Sequence, residues 1–369
     1  RWIPAYVDAM CQELLEKSNE VSTEDAVHTI FLGGGTPSLL SPAQVSRILN
    51  TIRNTFHVLD TPEITMEANP GTVTAESIRG YVKAGVNRFS FGMQSAHPVD
   101  LAALDRRHTF EDVLDAVMFC RRNGVQHINL DLIFGIPGQP LERWKRSLEL
   151  AAASGVDHLS LYALTIEEGT PMARWARRGL IETPDDDLAA DMYELAEDLL
   201  PEYGFEQYEI SNWSKGPSAR CRHNLQYWQY EPYLGFGAGA HGFFKGVRTE
   251  NVHSIFAYLK RMNAKSECLQ ADNRAAQQVN SLSRWDQMQE SMMVGLRLTH
   301  DGVSTRQFTS KFGEDFESLF AEQLQRLEHL GLIEWEFEPE RRVRLTRRGR
   351  LLGNQVFLEF VGNEAPAGV

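Results

Sequence analysis

His28-Thr29-Ile30-Phe31-Leu32-Gly33-Gly34-Gly35-Thr36-Pro37 opens the stretch whose reading decides the fold, and Glu67-Ala68-Asn69-Pro70 closes it. Between them, Ser41-Pro42 supply a helix N-cap and a first-turn proline, and Val45, Ile48, Leu49, Ile52 and Phe56 recur at helical spacing. The order is strand, glycine turn, helix, strand. Three consecutive glycines at the carboxyl end of an apolar run permit positive φ and expose backbone N–H groups, so a ligand's carboxylate or amine can approach the main chain itself. The same triplet also serves as a tight strand-to-helix turn with no ligand.

Working outward, the punctuation repeats. Ala84-Gly85-Val86, Asn123-Gly124-Val125, Ser154-Gly155-Val156 and Tyr203-Gly204-Phe205 each place a glycine where a helix hands over to a strand. The unit is βα at intervals of ~30–40 residues, and right-handed crossovers make a parallel sheet. Strands are expected near 28–32, 63–68, 87–92, 127–133, 158–164 and 207–210. A first helix is expected over 4–16, with Tyr6, Val7, Met10, Leu14 and Leu15 on one face.

Successive side chains of a strand point to opposite faces. One set is apolar: Ile64 and Met66; Phe89, Phe91 and Met93; Ile128, Leu130 and Leu132; Leu159 and Leu161. The other is polar or small: Thr65, Glu67 and Asn69; Ser90, Gly92 and Gln94; Asn129 and Asp131; Ser160 and Tyr162. A doubly wound sheet wants both faces apolar. A small or incomplete barrel with a polar lumen accounts for the pattern, and Glu67, Gln94 and Asp131 then fall at carboxyl ends of strands, where barrels carry reactive groups. An internal hydrogen-bond network that keeps buried polar groups paired is the alternative.

The chain of 369 residues has room for two or three domains of ~100–200 residues each. No apolar run approaches the ~20 residues that cross a bilayer, so no stable membrane insertion is expected. A net charge of −13 argues against a nucleic-acid role for the whole protein. Cys11, Cys120, Cys221 and Cys268 are scattered without metal-type spacing, which fits a reducing compartment such as the cytoplasm.

The ordered motifs Gly-Gly-Gly-Thr-Pro (33–37), Glu-Ala-Asn-Pro (67–70), Gly-Met-Gln-Ser (92–95), Asp-Arg-Arg-His (105–108) and Asn-Leu-Asp-Leu-Ile-Phe-Gly-Ile-Pro (129–137) carry a resemblance. Together they resemble the radical S-adenosylmethionine (radical SAM) proteins of the coproporphyrinogen dehydrogenase type, and within that group its heme-chaperone branch. The resemblance spans residues ~25–355 and implies an α/β fold: an incomplete (β/α)6 barrel, here with its first strand missing. It further implies that Gly34, Gly35 and Thr36 contact the methionine moiety of S-adenosylmethionine. Glu67 accepts from the cofactor or organises its neighbours, Gln94 and Arg106 hold its polar groups, Asp131 accepts from a ribose hydroxyl, and Ala163 flanks the adenine.

The family also holds a four-iron, four-sulfur (4Fe-4S) cluster on a C-x3-C-x2-C loop, which suits thiolate ligation. No such loop occurs in this sequence. All four cysteines are therefore expected to be non-ligands, with the cluster cysteines expected upstream of Arg1 in a longer protein.

A second distinctive stretch is Arg222-His223-Asn224-Leu225-Gln226-Tyr227-Trp228, followed by Gly235-Phe236-Gly237-Ala238-Gly239-Ala240-His241-Gly242. Imidazole is a common axial ligand of heme and aromatic rings stack on a flat macrocycle, so His223 is a candidate heme residue. Loop capping by His223 and ordinary packing by Tyr227 and Trp228 is the other reading, and His241 is similarly ambiguous. The resemblance favours His223 as heme-linked.

Residues 1–215 are expected to form the partial barrel, with an acidic-faced helix over 185–200. Residues 216–283 form the His-Asn segment, with weak order from 243, a helix near 255–262 and a polar linker over 271–281. Residues 284–361 form a C-terminal winged-helix-like α+β domain, and 362–369 a tail. That domain shows helices over 285–296, 304–312 and 316–330, then strands near 332–337 and 342–345. Arg341, Arg342, Arg344, Arg347, Arg348 and Arg350 crowd its wing, a composition that elsewhere binds nucleic acid.

Two functions survive: a chaperone that binds heme and passes it to an acceptor protein, or an oxygen-independent coproporphyrinogen III oxidase. A barrel that binds only a nucleoside is the plainest remaining option.

Overall fold

The computed structural model describes residues 2–264 and 274–366. Cys268, the start of the linker expected from 271 and the end of the expected tail lie outside the described residues. The chain begins with α1 (Ile3–Lys17), β1 (Ala26–Leu32), α2 (Pro42–Thr55), β2 (His57–Ala68), α3 (Ala75–Ala84) and β3 (Arg88–Gln94). Then come α4 (Pro98–Ala103), α5 (Phe110–Arg122), β4 (His127–Phe134), α6 (Leu141–Ala153), β5 (His158–Ala163), α7 (Pro171–Arg177), α8 (Asp186–Leu199), β6 (Glu206–Glu209) and β7 (Asn212–Ser214). The remainder holds α9 (Arg222–Trp228), β8 (His241–Phe244), β9 (Val247–Asn251), α10 (Ile255–Met262), β10 (Ala276–Ser281), α11 (Arg284–Gly295), β11 (Val303–Ser304) and α12 (Thr305–Phe312). It ends with α13 (Phe316–Leu319), α14 (Ala321–His329), β12 (Ile333–Glu336), β13 (Arg342–Leu345), α15 (Arg347–Leu351) and α16 (Gly353–Leu358).

Two units divide these elements. One comprises Ile30–Pro42 and Glu63–Arg220, and its strands form an open seven-stranded sheet in the order β1-β2-β3-β4-β5-β7-β6. β2 to β5 pair in parallel. Gly85 ends α3 in the left-handed region (φ 116°), and its N–H reaches the Tyr81 and Val82 carbonyls, as the expected helix-to-strand hand-off requires. Phe89, Phe91, Ile128, Leu130, Leu132 and Leu159 are fully buried on the face covered by helices. Each such side chain contributes about 1.5–3 kcal/mol by leaving water. The incomplete barrel read from strand parity is therefore present.

One strand departs from the expected repeat. β6 runs in the same direction as β5 but does not pair with it: after β6 the chain turns back into β7, which lies antiparallel between the two. Only Ile210 and Ser211 separate β6 from β7, far fewer residues than a parallel crossover needs.

The other unit comprises Arg1–Thr29, Ala43–Pro62 and Cys221–Val369. β8, β9 and β10 form an antiparallel sheet across residues expected to have little order. α1 packs on α10 around Ala9, Val252, Tyr258, Leu259 and Met262. Leu15, expected on the packed face of α1, is exposed, whereas Glu13 is buried because three donors meet its carboxylate.

In the C-terminal part, β11, β13 and β12 form the wing sheet, and the single helix expected over 316–330 breaks at Phe320 into α13 and α14. Arg341 grips Glu317 with two nitrogens (2.7 and 2.6 Å), Arg344 pairs with Glu334 and Glu336, and Arg342 with Asp301 and Glu340. These wing cations are thus matched by carboxylates. Among the described residues no helix is long and apolar enough to cross a membrane.

Candidate functional site

The parallel register builds the site row by row. Glu67, Ser90, Asn129 and His158 lie side by side across β2 to β5, and Gly92, Asp131, Ser160 and Asn212 form the next row toward the carboxyl ends. All share the polar face. Ser90, Asn129, His158, Ser160 and Asn212 are buried, so each needs a partner. Ser90 Oγ donates to Asp131 Oδ2 (2.8 Å), and Asn129 Nδ2 donates to Asp131 Oδ1 (2.8 Å) and to Ser90 Oγ (2.7 Å).

The glycine turn joins this set through Glu67, whose carboxylate accepts the Gly34 N–H at 3.0 Å. Gly33 is needed for close approach: a Cβ there would lie 2.5 Å from the Phe31 ring and 3.1 Å from Glu67 Cδ. Gly34 (φ 102°) and Gly35 have no heavy atom within 4 Å of a Cβ position, so the turn presents open main chain. Thr36 is exposed beside them.

Burial first, then the neighbouring Asp131 charge, push the Glu67 carboxyl up to about 7 against the opposing Gly34 hydrogen bond. Asp131 is also raised by burial, opposed by hydrogen bonds from Ser90 and Asn129. Tyr162, beside them, is raised by burial and by the Asp131 charge. Two carboxyl groups close enough for one charge to raise the other's pKa favour a cationic ligand.

Gln94 sits where β3 leaves its register, at φ 64°, and its amide folds over Gly92, where a Cβ would come within 2.8 Å of Nε2. The missing Gly92 side chain makes that placement possible. Gly34, Glu67, Gln94 and Asp131 are thus joined by contact, charge or register. Arg106 is exposed in the turn after α4, held by its main-chain N–H to Leu101 O (2.8 Å), and Ala163 is exposed opposite Phe134 at the end of β5. Among the described residues neither is hydrogen-bonded to the Glu67 or Asp131 carboxylate. His223 belongs to the other unit: Nδ1 lies 2.8 Å from Thr29 Oγ1, and Nε2 lies 3.0 Å from Tyr227 Oη.

Sequence reading missed His158 and Tyr208 in the lumen and Glu13 on α1. His158 sits at the parity of Ser160 and Tyr162 and was legible in principle. Glu13 falls at helical spacing among Tyr6, Met10 and Leu14, a signal of a buried carboxylate.

The curled half-barrel, with its glycine turn and carboxylates at the carboxyl ends of its strands, is a fold of the radical SAM class. The Radical SAM superfamily pattern matches residues 4–151, and that of the HemN C-terminal domain matches residues 282–352. The chain is 36% identical over 361 residues to the heme chaperone HemW of Bacillus subtilis, covering 98% of this chain and 92% of that protein. It is 36% identical over 355 residues to the heme chaperone HemW of Lactococcus lactis, covering 96% and 90%. It is also 34% identical over 325 residues to the mitochondrial radical S-adenosyl methionine domain-containing protein 1 of Bos taurus, covering 84% and 73%. Among solved structures, coproporphyrinogen III oxidase (HemN) from Escherichia coli aligns with a TM-score of 0.79 at 21% identity, over 98% of this chain and 83% of that one. That last likeness is one of fold. The chain belongs to the heme chaperone HemW family.

The family implies S-adenosylmethionine and a 4Fe-4S cluster. A ligand with a cationic amine and a ribose fits the open Gly34-Gly35 main chain, Glu67 and Asp131. The described cysteines do not fit a cluster. Cys11, Cys120 and Cys221 are buried thiols outside any disulfide, burial pushes the Cys120 thiol up to about 12, and no metal-type group of three His, Cys, Asp or Glu occurs among the described residues.

Proposed function

We propose that this protein is a heme chaperone of the cytoplasm that binds S-adenosylmethionine in its half-barrel and passes heme to an acceptor protein. The observation that carries this reading is kinship at 36% identity over nearly the whole chain with proteins named heme chaperone. In this reading the main chain of Gly34 and Gly35, with Thr36, receives the methionyl group and Glu67 takes its ammonium. Asp131 accepts from the ribose, Gln94 and Arg106 hold the remaining polar groups, and Ala163 flanks the adenine. Bound S-adenosylmethionine contributes a sulfonium cation, which the two carboxyl groups stabilise.

His223 is the proposed heme residue. With both ring nitrogens already engaged, ligation through Nε2 exchanges the Tyr227 hydroxyl for iron. Hemin titrated into the purified chain is expected to produce a Soret band, weaker in His223→Ala, and calorimetry is expected to show S-adenosylmethionine binding. A chain that takes up no heme overturns the chaperone reading. Consumption of coproporphyrinogen III would support the oxidase instead.

A further inference from the structure

Asp131 stands at the end of a chain of hydrogen bonds that begins at Tyr208 on β6. Tyr208 is the residue at which β6 leaves its register with β7, with Gln207 opposite Trp213 and Glu209 opposite Asn212. Such a bulge re-aims a side chain. The Tyr208 hydroxyl lies 2.8 Å from His158 Nε2, and His158 Nδ1 lies 2.6 Å from Asn129 Oδ1. The amide oxygen only accepts, so Nδ1 carries the proton, Nε2 is the acceptor, and Tyr208 is the donor. Ser160 Oγ adds a second donor to Asn129 Oδ1 at 3.2 Å.

This polarity has a consequence for Asn129. An amide oxygen and an amide nitrogen have nearly the same shape, so neighbours alone decide which way the group faces. Two donors fix the oxygen toward His158 and Ser160, which leaves Nδ2 to donate to both Asp131 and Ser90. Reversal of the amide would set Oδ1 against the Asp131 carboxylate, acceptor on acceptor. Tyr208 and His158 are each 1% exposed and Asn129 4%, so water does not replace a lost partner.

We infer that His158, held by Tyr208, is a positioning residue for the S-adenosylmethionine site: it sets the Asn129 amide that orients Asp131 toward the ribose. The inference rests on the proposed binding of S-adenosylmethionine at Asp131 and names the residues that make that carboxylate competent. Neither His158 nor Tyr208 touches the ligand.

The test is calorimetric titration of the full chain with S-adenosylmethionine and with its 2′,3′-dideoxyribose analogue. Wild type is compared with His158→Phe and Tyr208→Phe, each checked for a cooperative unfolding transition. S-adenosylmethionine is expected to bind roughly tenfold more weakly to His158→Phe and severalfold more weakly to Tyr208→Phe. The dideoxy analogue is expected to bind wild type and both variants alike, because it lacks the hydroxyls that Asp131 receives. Equal losses for both ligands would mean a merely structural role and overturn the inference, as would unchanged affinity for S-adenosylmethionine. If His158→Phe does not fold, the isosteric Tyr208→Phe decides by the same comparison. A wild-type chain that binds neither ligand removes the binding reading and this inference together, whereas loss of the inference alone leaves wild-type binding intact.

Discussion

Glu67 accepts the main-chain N–H of Gly34 at 3.0 Å, so the carboxylate on β2 and the glycine turn after β1 hold each other in place. Burial and the Asp131 charge raise this carboxyl from 4.5 to about 7. A folded-state pKa above the unfolded one means that the folded state binds the proton more tightly. The stability so gained is complete below about pH 4.5 and is lost as pH rises to about 7. Glu67→Gln retains an acceptor for Gly34 without the charge. It is expected to be more stable than wild type above pH 7, by about 1–3 kcal/mol, and the difference should vanish near pH 4, as read by chemical denaturation across pH.

The same ionisation governs a cationic ligand. In the proposed binding mode, deprotonated Glu67 attracts the methionyl ammonium, and below pH 7 the proton must leave first. The affinity for S-adenosylmethionine is expected to rise between pH 6 and pH 8, approaching a tenfold change per pH unit on the acid side. Calorimetry on Glu67→Gln should give a weaker and flatter profile; a wild-type profile that falls with pH would contradict this role.

Gly33 and Gly35 separate fold from ligand. A methyl at Gly33 meets the Phe31 ring and the Glu67 carboxyl, so Gly33→Ala is expected to destabilise by about 1–3 kcal/mol. A methyl at Gly35 meets nothing within 4 Å, so Gly35→Ala should unfold within about 0.5 kcal/mol of wild type. It should nevertheless weaken S-adenosylmethionine binding, because in the proposed mode the methyl occupies the ligand's approach to the main chain. Parallel denaturation and binding curves on the two variants check the contrast.

Glu13 organises the other glycine loop. Its carboxylate accepts from Gly237 N (2.8 Å), Tyr258 Oη (2.7 Å) and Asn251 Nδ2 (2.8 Å). Burial raises its pKa against those hydrogen bonds. Glu13→Ala strands three buried donors and is expected to destabilise by about 3–5 kcal/mol, whereas Glu13→Gln, with one acceptor oxygen, should lose less. Thermal denaturation of the two variants gives the ranking; equal stability would mean that the loop stands without its carboxylate.

What the sequence by itself determined is what depends on neighbours along the chain. Alternation put Phe89, Phe91, Leu130 and Leu132 on one face and Ser90, Asn129 and Asp131 on the other, since a strand turns every second side chain the same way. Glycines such as Gly85 marked helix ends, because only a residue without Cβ adopts the left-handed turn cheaply. The helix at Ile255–Met262 also emerged where its spacing placed it. Only the tertiary structure decided the pairings between distant segments. Tyr208 donates to a histidine 50 positions earlier, Glu13 meets Gly237 across 224 positions, and the polar strand β10 (Ala276–Ser281) becomes a strand only beside β9. Local periodicity follows from backbone geometry, but the partner of a buried polar group is chosen in three dimensions, where unpaired donors and acceptors are too costly to leave.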